Sequence, residues 1–192
     1  MEKNTTGRTS AFQTTDLVYI ALFAVLITIC SWISIPAPVP FTLQTFGVFA
    51  ACYMLGGRRA ALSVVVYLLL GTAGLPVFAG FTGGAGILLG STGGYLIGFI
   101  LTTLLFSIFE KMFGRRPVTD VIGLILGLLL CYFFGTIWFM KVYARANGAI
   151  GWISALSWCV IPFIIPDLIK LALAVIVGSR VRHLMPAKYT RR

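Results

Sequence analysis

The stretch LVYIALFAVLITICSWISI, residues 17–35, contains no charged side chain and is long enough to cross a lipid bilayer as a helix. Thr14 and Asp16 precede it with side-chain oxygens suited to a helix N-cap. Lys3 and Arg8 make a signal peptide the competing interpretation, but the apolar run is longer than a typical signal-peptide core, and prolines follow it instead of a small-residue cleavage site. We therefore predict a retained first transmembrane helix.

The composition of the whole chain also indicates a membrane protein. Of its 192 residues, 59% are hydrophobic and only 10% are charged, whereas a soluble domain carries about 25% charged residues. This balance excludes an ordinary soluble domain, a disordered chain and a disulfide scaffold. Since one spanning helix takes about 20 residues, the chain has room for at most six or seven spans and for no sizeable soluble domain.

Five further apolar stretches follow, separated by prolines, glycines and charges. We predict an all-α integral membrane protein that forms a single substrate-binding domain over residues 1–192, with a tail at 1–15 and a basic tail at 184–192. A glycine-rich loop is expected at 74–94, a longer connection at 141–165, and Pro166 in the first turn of the last helix. The five predicted spans after the first are 41–55, 60–72, 95–109, 121–140 and 166–178.

The basic residues predict the orientation of these six helices. With both termini in the cytoplasm, twelve of the 15 lysines and arginines lie in inner segments and two in outer segments, while Lys170 lies within the sixth helix. The net charge of +10 therefore indicates topology and attraction to anionic membrane lipid, not nucleic-acid binding. The tryptophans fall at predicted outer ends, where an interfacial belt is favoured over ligand contact: Trp32, Trp138, Trp152 and Trp158.

Sequence signatures of catalysis are missing from the chain. The four cysteines lie in apolar segments without CxxC spacing, and His183 is the single histidine. The glycine-rich loop lacks the GK[ST] ending of a phosphate-binding loop, and no metalloprotease or nucleophile-elbow motif occurs. We expect no enzymatic activity and no cofactor, so any uphill transport would need an ATP-hydrolysing partner or an ion gradient.

One acid and one base in the last helix carry the functional prediction. Asp167 and Lys170 are three residues apart, so they share a helix face. Ionisable groups within membrane helices usually face a cavity, pair with one another and mark a function, although a purely structural ion pair is the alternative. Because a carboxylate beside an ammonium offers an acceptor and a donor together, the pair suits a neutral urea or amide group.

Two other segments lie on the same outer side. The loop from Gly80 to Tyr95 contains Thr82, Gly83 and Gly84, and successive glycines allow backbone N–H groups to converge on an anion. A flexible connector is the simpler interpretation of this loop. The stiff segment 36–44 ends at Gln44 and is interpreted equally well as a pocket wall or as a proline turn. Together these features predict a pocket for a small organic acid with an amide-like head.

At these residues the chain resembles the BioY family, the biotin-specific S components of energy-coupling factor (ECF) transporters. The matching stretches cover nearly the whole chain after the first helix, and their combination is specific although each piece alone is not. They are VPFTLQ at 39–44, GTAGLPVF at 71–78, the loop at 80–95 and IPDLIK at 165–170.

The resemblance implies a six-helix S-component fold, located in the prokaryotic cell membrane, that captures biotin from outside. It implies as partners a transmembrane coupling subunit and two cytoplasmic ABC ATPases. Asp167 and Lys170 match the family's ligands to the ureido ring, and Thr82 and Tyr95, with the glycines between them, match the region that holds the valerate chain. A stand-alone carrier for a small organic acid and a membrane-embedded enzyme are the rival hypotheses.

Overall fold

Eight α-helices make up most of the computed structural model, which describes residues 13–36 and 39–185. A two-stranded antiparallel hairpin, β1 (Ser34–Ile35) and β2 (Phe41–Thr42), separates the first two helices, and a 3₁₀ turn at Ala79–Phe81 precedes the fourth. The helices are α1 (Thr14–Trp32), α2 (Gln44–Leu55), α3 (Gly57–Thr72), α4 (Ala85–Leu89), α5 (Gly93–Phe113), α6 (Pro117–Asn147), α7 (Trp152–Cys159) and α8 (Ile161–Val181).

Within the described residues, four helical segments are long and apolar enough to cross a membrane: α1, α5, α6 and the nearly continuous run Trp152–Leu184. The helices α2 and α3 are shorter, with 12 and 16 residues. Large apolar side chains such as Leu17, Leu22 and Val25 on α1 point out of the bundle, as expected for a surface that faces lipid. The mostly helical membrane fold that the sequence predicts is therefore present.

The last helix begins earlier than predicted, because Pro162 and not Pro166 occupies its first turn. The helix α8 starts at Ile161 and carries Pro166 in its interior. Proline lacks the N–H that would reach the carbonyl four residues back, so Pro162 fits the first turn, where no such bond is made, whereas Pro166 removes one bond from the second turn. Asp167 and Lys170 consequently lie one turn deeper in the helix than the sequence suggested.

Other predicted boundaries also shift. The fifth span was expected to end at Met140, but α6 continues to Asn147, since Lys141 and Arg145 are good helix formers with exposed side chains. The predicted connection at 141–165 accordingly contains the end of α6, all of α7 and the start of α8, and the predicted loop at 74–94 contains a 3₁₀ turn and α4. The predicted tails at 1–15 and 184–192 lie largely outside the described residues.

Glycines allow α5 and α6 to approach each other closely. A Cβ on Gly94 would overlap the Trp138 side chain, one on Gly127 would approach Thr102, and one on Gly135 would overlap the Tyr95 ring. Gly123 and Gly127, which stand at GxxxG spacing in the sequence, lie in this interface, as small residues do where membrane helices pack.

Ionic contacts close one end of the bundle. Arg59 on α3 binds Asp16 on α1 with an Nε–Oδ1 distance of 2.8 Å. Glu110 at the end of α5 binds Arg115 at 3.3 Å and accepts the backbone N–H of Gly57 at 2.8 Å. Arg182, which directly follows α8, pairs with Asp120 on α6, and their charged atoms are 4.0 Å apart. These ion pairs therefore lie at one end of the bundle, and their members are charges that the sequence analysis predicts to be cytoplasmic.

Substitution of Gly57 should test this packing. A Cβ at this position would overlap the backbone of Ser107, so we expect Gly57→Ala to lower the free energy of unfolding by about 1–3 kcal/mol. Gly86→Ala is the matched control, because its added Cβ would have no atom within 4 Å apart from its chain neighbours and the backbone of its own helix. Thermal denaturation in detergent should show a lower midpoint for the first variant only; equal midpoints would contradict the described α3–α5 contact.

Candidate functional site

A cavity of about 190 Å³ opens at the end of the bundle opposite the ionic contacts. Its walls come from the start of α2, the loop before α5, the start of α5, the middle of α6 and α8, together with residues of the hairpin. Most lining side chains are apolar, and the polar or charged ones are Thr42, Gln44, Thr45, Thr82, Thr92, Tyr95, Tyr132, Asp167 and Lys170.

Asp167 is the acceptor of a dense hydrogen-bond network in the cavity wall. Asp167 is only 2% exposed. Oδ1 accepts the Thr45 hydroxyl at 2.8 Å and the Lys170 ammonium at 2.8 Å, while Oδ2 accepts the Tyr132 hydroxyl at 2.6 Å. A buried carboxylate needs such partners, and together they fix the direction in which Asp167 faces the cavity.

Lys170 is held between α8 and the hairpin. Besides its bond to Asp167, Nζ donates to the backbone carbonyl of Thr42 at 2.6 Å. The ring of Phe41 lies under the ammonium, with Nζ 4.4 Å from its centroid, and the same ring stacks on Phe163 at 5.6 Å. The hairpin is therefore attached to α8 at the cavity through one charged side chain.

Three more of the predicted site residues line the cavity. Gln44 at the start of α2 donates its amide to the Tyr67 hydroxyl at 2.9 Å. The Tyr95 hydroxyl lies 3.1 Å from the Thr136 hydroxyl, which fixes the ring against α6. Thr82 donates its hydroxyl to the carbonyl of Ala79 at 2.8 Å, so its oxygen keeps acceptor capacity while its donor is used.

Gly83 and Gly84 differ from the expectation. Neither belongs to the cavity wall. A Cβ on Gly83 would overlap the carbonyl oxygen of Leu75, and the backbone N–H of Gly84 donates to the carbonyl of Gly71 at 2.7 Å. Both glycines are needed for the turn that packs the loop on α3, because a side chain would not fit at Gly83 and because Gly84 has a positive φ of 101°. The predicted convergence of backbone donors at these two glycines is therefore not seen.

The loop itself is fixed by tryptophans. The indole N–H of Trp32 donates to the carbonyl of Pro76 at 2.8 Å, and that of Trp138 donates to the carbonyl of Gly90 at 2.9 Å. The ring of Trp32 also stacks on Phe81 with 5.0 Å between centroids. These contacts make the loop an ordered wall of the cavity, which the interpretation of it as a flexible connector did not anticipate.

Sequence reasoning missed Thr45 and Tyr132, both of which bind Asp167. Thr45 directly follows Gln44, but its role depends on α8 packing beside the first turn of α2. Tyr132 lies in the middle of an apolar span, where a tyrosine needs a partner for its hydroxyl, so this signal was present in the sequence. Its partner was unpredictable, since it comes from a helix 35 residues later in the chain.

The arrangement suits recognition of a neutral polar group. Asp167 and Lys170 neutralise each other, so the wall presents an acceptor and a donor without a net charge. No group of three or more His, Cys, Asp or Glu side chains that would hold a metal ion occurs among the described residues. Ten of the nineteen described lining residues are apolar, among them Phe99, Leu128 and Phe163, which favours the body of an organic ligand.

Comparison with known proteins agrees with this geometry. The model of the BioY family matches residues 2–187. The chain is 40% identical to the biotin transporter BioY of Thermotoga maritima over 173 residues, which cover 88% of this chain and 96% of that protein. It is 39% identical to the probable biotin transporter BioY of Pyrococcus horikoshii over 168 residues, covering 87% and 96%.

A solved structure is similar over nearly the same length. It is the crystal structure of the S-component for biotin from an ECF-type ABC transporter, with a TM-score of 0.81 and 30% sequence identity, and the match covers 94% of this chain and 100% of that one. The predicted resemblance is thus confirmed by family, by relatives and by fold, and the chain belongs to the BioY family.

Proposed function

We propose that this chain is the biotin-binding S component of an ECF-type ABC importer. One observation carries the proposal: Asp167 and Lys170 form a buried acceptor–donor pair, with their charged atoms 2.8 Å apart, in the wall of an otherwise largely apolar cavity. The relatives named as biotin transporters and the structural match to a biotin S-component support the choice of ligand.

Biotin has the chemistry that this cavity requires. Its head is a neutral cyclic urea, so Asp167 would accept a ring N–H and Lys170 would donate to the ring carbonyl. Its apolar body would lie against side chains such as Phe99, Leu128 and Phe163. A hydrogen bond to a charged group contributes about 1.5–3 kcal/mol, and a buried partner left without one costs a comparable amount. The pair therefore selects a urea over an apolar group of the same shape.

The valerate carboxylate is proposed to lie away from this pair. A carboxylate placed on Lys170 would approach Asp167 as well, and the repulsion between two carboxylates would offset the attraction to the ammonium. The cavity wall also offers the neutral hydroxyls of Thr82 and Tyr95, which we propose as neighbours of the valerate carboxylate, and Gln44 as a further part of the wall.

We further propose six membrane spans, formed by α1, α2, α3, α5, α6 and α8. The ionic end of the bundle would face the cytoplasm and the cavity would face outside, because basic residues concentrate in cytoplasmic segments. The chain is a multi-pass protein of the prokaryotic plasma membrane, as its relatives and its apolar helices indicate.

The proposed partners are a transmembrane coupling subunit and two cytoplasmic ABC ATPases. The chain has no phosphate-binding loop motif of its own, which agrees with a subunit that binds substrate while other subunits hydrolyse ATP. The structural neighbour comes from such a transporter. We also propose that the chain works without enzymatic activity and without a cofactor.

Isothermal titration of the purified protein should test the ligand. We expect biotin to bind with a stoichiometry of about one, and desthiobiotin, which keeps the urea, to bind more weakly because it buries less apolar surface. Thiamine, a cationic vitamin without a urea, should give no heat of binding. Equal binding of thiamine and biotin would contradict the assignment.

Uptake into vesicles should distinguish the S component from a stand-alone carrier. Vesicles that contain only this chain should not accumulate radiolabelled biotin. Vesicles that also contain the coupling subunit and the ATPases should accumulate it when ATP is supplied on the side of the membrane where the ATPases lie. Accumulation by the chain alone would favour the rival carrier function.

A further inference from the structure

The hydrogen-bonding capacity of Asp167 is almost fully used by protein groups. A carboxylate offers about four lone-pair positions, two on each oxygen. Both positions on Oδ1 are taken, by the Thr45 hydroxyl and the Lys170 ammonium, each at 2.8 Å. One position on Oδ2 is taken by the Tyr132 hydroxyl at 2.6 Å. Within the described part of the chain, a single acceptor position of Asp167 therefore remains for a ligand.

Lys170 is restricted in the same way. An ammonium has three N–H donors, and two of them are directed to oxygens, namely Asp167 Oδ1 at 2.8 Å and the carbonyl of Thr42 at 2.6 Å. The third has the Phe41 ring as a neighbour, which is a poorer acceptor than a carbonyl oxygen. A ligand thus meets one acceptor and one donor, side by side on the same wall.

From this count we infer that Thr45 and Tyr132 are positioning residues that make the pair bind a single edge of the ligand's urea. This inference rests on the proposed biotin function. One ring N–H and the ring carbonyl contact Asp167 and Lys170, while the second ring N–H finds no place on Asp167. Thr45 on α2 and Tyr132 on α6 act through Asp167, because they fix which lone pair faces the cavity.

The first test uses ligands in which one ring N–H is replaced by oxygen. This change turns the urea into a cyclic carbamate of nearly the same shape, and two regioisomers exist. The isomer that keeps the contacting N–H should bind within about 10-fold of biotin, whereas the other should bind about 100-fold more weakly, since it loses a hydrogen bond to a charged acceptor and brings an oxygen lone pair against it.

The results of this titration separate the two proposals. If the wild-type protein binds biotin and both carbamates lose affinity equally, the single-edge inference is overturned and the biotin function stands. If the wild-type protein binds no biotin, the proposed function itself fails. A difference between the regioisomers of 10-fold or more, which exceeds the usual effect of a small shape change, supports the inference.

The second test asks whether Thr45 and Tyr132 act through Asp167. Labelling with [4-¹³C]aspartate gives signals from only three side chains, Asp16, Asp120 and Asp167, and Asp167→Asn assigns the third. We expect Tyr132→Phe and Thr45→Val to shift the Asp167 signal in ligand-free protein and to weaken biotin binding about 10-fold. A role confined to packing would leave this signal in place.

Matched variants complete the second test. Tyr143→Phe removes a hydroxyl from the same helix, outside the cavity wall, and should change neither the signal nor the affinity. Thr45→Ser keeps the donor and should restore wild-type affinity. Unchanged affinity in Tyr132→Phe and Thr45→Val, or weaker binding with the Asp167 signal unmoved, would overturn the positioning role.

Discussion

The Asp167→Asn variant should bind biotin about 100-fold more weakly than the wild-type protein, as measured by isothermal titration. The amide keeps the size of the carboxylate but loses its charge and half of its acceptor positions. It also leaves the Lys170 ammonium without its ionic partner in a wall where this residue is 5% exposed. Biotin affinity falls because the ligand loses a hydrogen bond to a charged acceptor and because the Lys170 donor is no longer held in place by Asp167.

The control for this variant is Asp120→Asn at the opposite end of the bundle. Asp120 is also a buried aspartate in an ion pair, with Arg182, but it lies outside the cavity wall. We expect Asp120→Asn to lower thermal stability and to leave biotin affinity within about 2-fold of the wild type, a difference well below 1.4 kcal/mol. If both variants lost affinity equally, Asp167 would act through folding and not through contact.

Replacement of Lys170 by methionine should have the largest effect on stability. It leaves a carboxylate buried with only hydroxyl partners, Thr45 and Tyr132, and removal of one member of a buried ion pair typically costs about 3–5 kcal/mol. Biotin binding should be lost in the same variant, since the donor for the ring carbonyl is gone. Denaturation in detergent and titration with biotin measure the two effects separately.

The double variant Asp167→Asn/Lys170→Met separates the two roles of the pair. Replacement of both members of a buried ion pair is often neutral or stabilising, so the thermal midpoint should return toward that of the wild type. Biotin binding should remain absent. Lys141→Met, an exposed lysine on α6, should behave as wild type in both measurements. Recovery of biotin binding in the double variant would show that the pair is structural.

Patterns along the chain predicted the features that depend on neighbouring residues. Uncharged runs of bilayer length indicated helices in a membrane protein, and the spacing of Asp167 and Lys170 placed both side chains on one helix face. The clustering of basic residues agrees with the ionic contacts now seen at one end of the bundle, such as Arg59 with Asp16. Each of these inferences needs only local geometry or a count of charges.

Features that depend on tertiary packing escaped prediction. Pro162 and Pro166 could each occupy a first helical turn, and the structure places Pro162 there because α8 begins at Ile161, directly after Val160 ends α7. Gly84 was expected to offer its N–H to a ligand, but the carbonyl of Gly71 on α3 accepts it. Tyr132 reaches Asp167 because α6 and α8 both border the cavity. The packing of these two helices cannot be predicted from local sequence patterns.

The crystal structure of this protein with biotin bound would test the central claim most directly. We predict one ring N–H of the urea within hydrogen-bond distance of Asp167 Oδ2, the ring carbonyl oxygen within the same distance of Lys170 Nζ, and the valerate directed toward Thr82 and Tyr95. A reversed ligand, with its carboxylate on Lys170 and its urea at the loop, would contradict the account.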